Sequence, residues 1–320
     1  MRVYEIRHLT RYRYRGPVRF GDHRMMLRPL ESFDQRVLSF DLEISPTPRS
    51  IRFGHDVLGN TVGHAAFDLP GEDLTFHSKV VVERRAPLRP DRWEVDATLP
   101  AAYDPDDLPD LVRSMERRDA DPDGAVDRFA RRFLSPRGQT SIVGLLEDMT
   151  AAIHSEFRYA TRLEGGAQAP AETLQRRVGS CRDFAVLMID AARSLGLAAQ
   201  FVSGYIYAPA VSHGPLTRVG GGHTHAWLRV YVPRCGWVEF DPTNGLVANP
   251  DLLRVAATRD PSQASPLSGV FHGAGTAFLG LEVEVDVTRL DHQETDLASG
   301  ARAHLHLSDA PPPRRAGAAR

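Results

Sequence analysis

The segment HAWLRVYVPRCGWVEFD, residues 225–241, constrains the fold of this chain more than any other segment. Every second residue from His225 lies on one face of a strand, and the aliphatic residues between them lie on the other face. The letters PRCG are typical of a turn, and residues 237–241 are typical of a returning strand. The pattern predicts an antiparallel hairpin. In it His225 and Asp241, each eight residues from Pro233, lie opposite or nearly opposite each other.

An imidazole and a carboxylate placed in this way suggest a catalytic pair. The carboxylate of Asp241 would accept the proton of one nitrogen of His225 and leave the other nitrogen facing a nucleophile. Neither residue is informative alone, because a single His on a strand is usually packed and an Asp before Pro usually forms a turn. The interpretation therefore depends on a third residue, and Cys181 is the candidate.

Cys181 begins the clearest helical segment of the chain, GSCRDFAVLMIDAARSLGLAAQ. Ser180 occupies the N-cap position and Asp183 follows three residues later, which gives a capping-box-like S-x-x-D pattern. We expect an exposed thiol at the positive end of the helix dipole, where the thiolate is favoured. The free N–H groups of the first turn would also stabilise an oxyanion. The alternative is an inert cysteine packed in the core.

The rest of the chain divides into four parts by composition and periodicity. Residues 1–88 hold short β-branched and aromatic segments separated by Gly and Pro, which predicts an antiparallel β-sandwich domain. Residues 89–139 are rich in Pro and Asp, and we expect a linker with a short helix. Residues 140–290 mix helical and strand periods, and we expect an α+β catalytic core. The Pro- and Arg-rich residues 291–320 are expected to form a disordered tail.

Composition limits the expected partners and compartment. The 320 residues carry a net charge of -2, which argues against nucleic acid or an anionic membrane as a partner. The two cysteines make no disulfide framework, no apolar run reaches the length of a membrane span, and the N-terminus lacks the apolar stretch of a signal peptide. We therefore expect a cytoplasmic protein. Lys79 is the only lysine, so the surface is a poor amine substrate.

Two segments resemble the core of bacterial transglutaminase-like proteins: GSCRDFAVLMIDAARSLGLAAQFVSGY and HAWLRVYVPRCGWVEFDPTNG. The aromatic alternation over residues 4–14 is similar to the β domain that often precedes that core. The resemblance implies a papain-like α+β core that needs no metal or cofactor. In such a core Cys181 is the nucleophile, His225 the base and Asp241 the orienting carboxylate. Thr224 stands where Ser is common in the family.

The resemblance also implies acyl transfer on an amide or peptide bond through a thioester acyl-enzyme. The expected partner is a peptide or a small amide. We expect hydrolysis, as in a cysteine protease or amidase, because no acidic cluster accompanies the triad to bind an amine. Three alternatives stay open: a protein-glutamine transglutaminase, an arylamine N-acetyltransferase-type acyl transferase, and a non-catalytic binding module.

A zinc site is another possible use of the same residues. His223 and His225 are two apart on a predicted strand, and Cys181 or Cys235 would add a sulfur ligand. The sequence supplies no clear fourth ligand. Cys235 lies in the predicted turn and is expected to be a bystander thiol. The glycine-rich residues 220–225 are expected to form a loop that leads into the catalytic strand.

Overall fold

The computed structural model describes residues 1–86, 97–162, 166–209 and 218–290. The strands in these ranges are β1 (Arg2–Met25), β2 (Gln35–Ser45), β3 (Ser50–His55), β4 (Thr61–Ala66), β5 (Gly71–Arg84), β6 (Thr98–Leu99), β7 (Thr140–Ser141), β8 (Arg158–Tyr159), β9 (Val178–Gly179), β10 (Ala199–Ile206), β11 (His225–Val232), β12 (Gly236–Asp241), β13 (Leu246–Val247), β14 (Leu252–Thr258), β15 (Leu267–His272) and β16 (Phe278–Leu290). The helices are α1 (Leu108–Met115), α2 (Ala125–Arg131), α3 (Ile142–Glu156), α4 (Pro170–Arg176) and α5 (Cys181–Ser194), with short 3-10 turns at Pro261–Ala264 and Gly275–Ala277.

The long strand β1 organises the N-terminal sheet. Its first half pairs with β5 on one edge and with β16 on the other, and its second half pairs with β4 and β15. The strands β2 and β3 complete the order β2-β5-β1-β4-β3. Residues from both halves, such as Tyr4, Ile6 and Met25, are buried in one apolar cluster, so the sheet curls around its own core. This antiparallel domain agrees with the predicted fold class.

The expected extent of the catalytic core needs a correction. The sequence led us to place residues 140–290 in that core, but β15 and β16 pair antiparallel with β1 in the N-terminal sheet. The alternation of aliphatic residues over 279–287 shows that this segment is a strand, but it does not show which sheet receives it. The chain therefore forms the core after the first five strands of the N-terminal sheet, and β15 and β16 then add to that sheet again.

The second sheet has the antiparallel order β13-β12-β11-β10-β14 and carries helices on one face. The helix α5 packs against β10 and β11 on one side and against α2 and α4 on the other. Almost every residue of α5 is buried, including Phe184, Leu187 and Met188. Together with the N-terminal domain, this arrangement makes the predicted α+β architecture.

The predicted linker holds more helix than the sequence suggested. Within the described part of 89–139 the chain forms two helices, α1 and α2, where one short helix was expected. Residues 87–96 and the predicted disordered tail, 291–320, lie outside the described residues. No helix in the described ranges is both long and apolar enough to cross a bilayer.

A buried group of four charged residues joins the two sheets, and we call it the junction ion cluster. Its members are Asp34 and Arg84 from the N-terminal half and Glu239 and Arg254 from the core sheet. Arg84 is fully buried, pairs with Asp34, and places Nη2 2.9 Å from Oε2 of Glu239. Arg254 lies 2.5 Å from Asp34 and 3.1 Å from Glu239. Two arginines thus balance two carboxylates where the sheets meet.

Candidate active site

Cys181 is the first residue of α5, as the sequence predicted. The helix start is held by Asp183, whose Oδ2 accepts hydrogen bonds from the backbone N of Ser180 at 2.7 Å and from the Ser180 hydroxyl at 2.9 Å. Oδ1 of Asp183 accepts from the backbone N of Gln168 at 2.7 Å and from Arg162 at 3.0 Å. Burial raises the pKa of Asp183, but these hydrogen bonds outweigh burial and leave the pKa lowered. The predicted capping role of Asp183 is confirmed.

The expected exposure of the Cys181 thiol is wrong. Cys181 is only 9% exposed and belongs to the apolar cluster around α5. The reason is that α5 is covered on both sides, which a helix-start pattern alone does not reveal. The residue nevertheless lines a large cleft, so a buried thiol still borders a space that a substrate can enter.

His225 and Asp241 meet through the hairpin of β11 and β12. The last pair of the ladder before them is Leu228 opposite Phe240, so Asp241 lies across from Trp227 and His225 is its diagonal neighbour. The hairpin is centred on Arg234, which has φ of 66°, and not on Pro233. The side chains still meet, with Nε2 of His225 2.8 Å from Oδ2 of Asp241.

Asp241 is fully buried and has a complete set of donors. Oδ1 accepts from the backbone N of Thr243 at 2.9 Å and of Asn244 at 3.3 Å. Oδ2 accepts from His225 and from Nδ2 of Asn244, the latter at 2.8 Å. Burial raises the pKa of Asp241, but His225 and these hydrogen bonds outweigh burial, so the pKa is lowered overall. The carboxylate is therefore held charged in one orientation.

Asn244 is a positioning residue that the sequence reasoning missed. Besides Asp241, its side chain contacts the backbone of Val219, accepting from N at 2.8 Å and donating to O at 3.1 Å. It thereby ties the loop before β11 to the carboxylate of the hairpin. The D-P-T-N sequence that begins at the last residue of β12 is typical of a turn, and it carries no signal for the contact with Val219.

The two nitrogens of His225 differ in their surroundings. Nε2 faces Asp241, whereas Nδ1 is buried and has no hydrogen-bond partner of ordinary geometry among the described residues. Burial lowers the pKa of His225, but Asp241 and the nearby Cys181 raise it more strongly, to about 10. The indole of Trp227 stacks on the imidazole at a centroid distance of 5.8 Å. The ring is fixed, and its second nitrogen is left for the thiol.

Gly220 closes the other side of the imidazole. Its φ is 101°, in the left-handed region that favours glycine. A Cβ atom at this position would lie 2.7 Å from Nδ1 of His225, which is too close for any side chain. The glycine-rich residues expected to form a connecting loop therefore pack directly on the histidine.

The thiol and the imidazole open into a cleft of about 1310 Å³. Tyr159 and Gln168 line it on the core side, because β8 pairs with β9 and places Tyr159 opposite Gly179, just before Cys181. The opposite wall comes from the N-terminal sheet, where β16 contributes the residues Phe278, Leu279, Gly280, Leu281 and Val283. Both sheets therefore shape the site.

The zinc alternative does not fit the arrangement. Cys235 lies in the turn after β11, at the opposite end of the hairpin from His225. Seven residues of strand at about 3.3 Å each separate the two by roughly 23 Å. Among the described residues, no group of three His, Cys, Asp or Glu side chains is placed to hold a metal ion. The closely placed groups are instead a thiol, an imidazole and a carboxylate, the set used for nucleophilic catalysis.

Comparison with known proteins agrees with the architecture. Residues 4–83 match the bacterial transglutaminase-like N-terminal region, and residues 130–242 match the transglutaminase-like superfamily. An uncharacterized protein of Mycobacterium tuberculosis is 30% identical over 300 residues, covering 89% of this chain and 92% of that protein. One of Mycobacterium leprae is 28% identical over 302 residues, covering 88% and 97%. A candidate cysteine protease from Cytophaga hutchinsonii superposes with a TM-score of 0.64 and 18% identity over 91% of each chain, which shows a shared fold.

Proposed function

The chain belongs to the transglutaminase-like superfamily, and on that premise we propose that it is a cysteine hydrolase that cleaves amide or peptide bonds through a thioester acyl-enzyme. The catalytic triad is Cys181, His225 and Asp241. The observation that carries the proposal is the geometry of His225. Its Nε2 contacts Asp241 at 2.8 Å, its buried Nδ1 has no partner of ordinary geometry among the described residues, and Cys181 lies close enough to raise the pKa of the ring.

In the first half-reaction the sulfur of Cys181 attacks the carbonyl carbon of the substrate. His225 takes the thiol proton on Nδ1 before the attack, and the carbonyl oxygen gains negative charge as the C–S bond forms. The imidazolium then gives that proton to the leaving nitrogen as the C–N bond breaks. The charge of Asp241 stabilises the imidazolium between these two transfers, consistent with the raised pKa of His225. The second half-reaction repeats the cycle, with water as the attacking group.

The start of α5 provides the electrostatic part of catalysis. The N–H groups of a first helical turn have no partners inside the helix, and that of Cys181 lies beside its own sulfur. A carbonyl oxygen that gains negative charge during attack would be stabilised by this donor and by the positive end of the helix dipole. The Asp183 anchor keeps the turn in place during both half-reactions.

Intact-mass analysis tests the nucleophile directly. The protein is incubated with peptide and small-amide libraries, with acetyl-CoA as a separate arm for the arylamine N-acetyltransferase-type alternative. We expect an acyl adduct on Cys181 from the amide libraries, retained in Cys235→Ala and absent from Cys181→Ala. An adduct from acetyl-CoA alone would favour the acetyltransferase alternative, and no adduct from any donor would favour a binding module.

Hydrolysis is proposed over transfer because the aspartates that line the cleft among the described residues already lie beside arginines. Asp190 lies 2.6 Å from Arg117, Asp260 lies 3.0 Å from Arg259, and Asp119 is near Arg118. The acid nearest to Asp241 on its strand face is Glu239, and the arginines of the junction ion cluster already occupy it. The enzyme is incubated with an amide-bearing peptide and millimolar primary amine, and released ammonia is compared with incorporated amine. If most acyl groups end on the amine, the protein is a transglutaminase.

A further inference from the structure

The strand β16 has one unpaired edge. It forms a continuous antiparallel ladder with β1 from Leu290 to Gly280, and in the described ranges no other strand pairs with it. Unpaired strand edges present a row of backbone donors and acceptors that another extended chain can join. Whether this edge can bind such a chain depends on its position and on the direction of its backbone N–H and C=O groups.

One backbone hydrogen bond fixes that direction. The N–H of Val285 donates to the carbonyl of Gly222 at 3.2 Å, so the backbone groups of Val285 point away from β1. Backbone groups of alternate residues in a strand point to the same edge, and the register with β1 has no bulge between 281 and 285. The N–H and C=O groups of Leu281 and Val283 therefore also point to the free edge.

This edge forms a wall of the catalytic cleft. Leu281 and Val283 line the same space as Cys181, and the edge ends at the loop that packs on His225 through Gly220. The side chain of Leu281 is 53% exposed, and its neighbours Phe278 and Leu279 are also exposed. Gly222 already pairs with Val285 at the far end of the edge, and among the described residues no strand pairs with the edge at Leu281 and Val283, where a second extended backbone can join.

We propose that the acyl substrate is a polypeptide segment, bound in extended conformation by backbone hydrogen bonds to Leu281 and Val283 of β16. The inference rests on the proposed function, because it takes Cys181 as the nucleophile that the segment reaches. Recognition by strand addition derives affinity from the main chain and tolerates varied side chains. A small amide lacks the backbone to use this edge and would react through the cleft alone.

A reactive peptide measures the contribution of the edge without knowledge of the natural substrate. The probe is an alanine- and valine-rich octapeptide with an N-terminal bromoacetyl group, compared with bromoacetamide. We expect the peptide to alkylate Cys181 about tenfold faster, which is the effect of one or two backbone hydrogen bonds. Equal rates for the two reagents on an active thiol would overturn the inference.

Leu281→Pro removes one outward N–H, and the β1 ladder survives because that donor does not face β1. Leu281→Ala is the matched control, since it shortens the side chain and keeps the donor. We expect the ratio of the peptide rate to the bromoacetamide rate to fall to about one in Leu281→Pro and to stay near the wild-type ratio in Leu281→Ala. A Leu281→Pro protein that melts like wild type and keeps the full advantage would contradict the proposal.

Methylated peptides repeat the test on unaltered protein. In an extended peptide every second backbone nitrogen faces β16. N-methylation of that set should abolish the faster alkylation of Cys181 by the peptide, and N-methylation of the other set should leave it unchanged. Equal behaviour of both sets would rule out strand addition. If bromoacetamide itself fails to label Cys181 in the folded protein, the nucleophile assignment fails, and that outcome is distinct from a failure of the edge alone.

Discussion

Two buried polar groups lie on either side of Trp227 and differ in one respect. The indole stacks on His225 of the proposed triad, and its Nε1 donates to Glu239 of the junction ion cluster at 3.2 Å. In the ion cluster every charge meets an opposite charge, with two arginines against two carboxylates. In the proposed triad Asp241 has its full set of donors, but the buried Nδ1 of His225 has no partner of ordinary geometry among the described residues. Charges that are all paired hold the two sheets together, whereas the one unpartnered nitrogen of His225 can exchange a proton with the thiol.

The largest effect should come from removing the sulfur. Cys181→Ala leaves His225 without a nucleophile, so turnover should fall to the uncatalysed level. The stability cost should be about 1 kcal/mol, since only one small side chain is shortened. Turnover and denaturant unfolding are measured beside Cys235→Ala, which should match wild type in both. A Cys181→Ala protein that retains turnover would remove this residue from the mechanism.

The junction ion cluster should respond through stability. Arg84→Met leaves the carboxylates of Asp34 and Glu239 short of one buried partner, and breaking such a pair costs about 3–5 kcal/mol. Unfolding in urea measures the loss. Adding Glu239→Gln should recover part of it, because one unpaired charge is then removed. Unchanged stability would show that the cluster contributes nothing to holding the two sheets together.

Asp241→Asn should lower the rate more than it weakens binding. The amide offers Nε2 of His225 a different partner and can fix the wrong tautomer, a change that costs on the order of 10⁴ in kcat in serine-protease triads. A thiolate–imidazolium pair depends less on proton removal, so we predict roughly a 10- to 1000-fold loss in kcat, scaled from that figure, with KM little changed. Steady-state kinetics decide, and an unchanged kcat would exclude Asp241 from the triad.

The smallest effect compares the two thiols. Cys181 is the more buried, yet it begins α5 and lies beside His225, whose pKa is raised to about 10, so a cationic ring is next to the sulfur at pH 6. Burial raises the pKa of Cys235 instead. Iodoacetamide at pH 6 should therefore label Cys181 at least about tenfold faster, as read by peptide mapping. Faster labelling of Cys235, or labelling of Cys181 only after unfolding, would reverse the assignment.

The same histidine links stability to pH in a defined direction. Its folded pKa lies above the ordinary value of about 6.5, so the stabilisation it contributes is complete below that pH. The contribution is lost as the pH rises toward 10. Asp241→Asn removes the main cause of the shift, so the loss between pH 7 and 10 should be smaller in that variant.

Local sequence patterns predicted the proposed triad residues, but they did not predict which distant segments pack against each other. The S-x-x-D cap places Cys181 at a helix start, and strand alternation brings His225 to Asp241 even though the hairpin is centred one residue from Pro233. Diagonal neighbours on one face still touch, so the small register error did not matter. The burial of Cys181 was missed because it depends on how helices pack around α5, which no segment of the sequence encodes alone.

The junction ion cluster and the β16 wall were missed for a related reason. Arg84 and Glu239 belong to different sheets, and neither has a sequence neighbour that signals the pairing. The aliphatic alternation of β16 fits a strand in either sheet, so its pairing with β1 was not accessible. Asn244 differs, because the D-P-T-N turn was visible and its contact with Val219 is the part that required the fold.

The pairing of the first strand with the last has a consequence for the order of folding. Val3 lies opposite Leu290, so β1 emerges from the ribosome long before its partner on that edge. Contacts of such sequence separation close late and slow the folding of a domain. The segments that carry Cys181, His225 and Asp241 are synthesised before β16, so the cleft gains its last wall only after the reactive groups are in place. Pulse-labelling of Cys181 during refolding would time these two events.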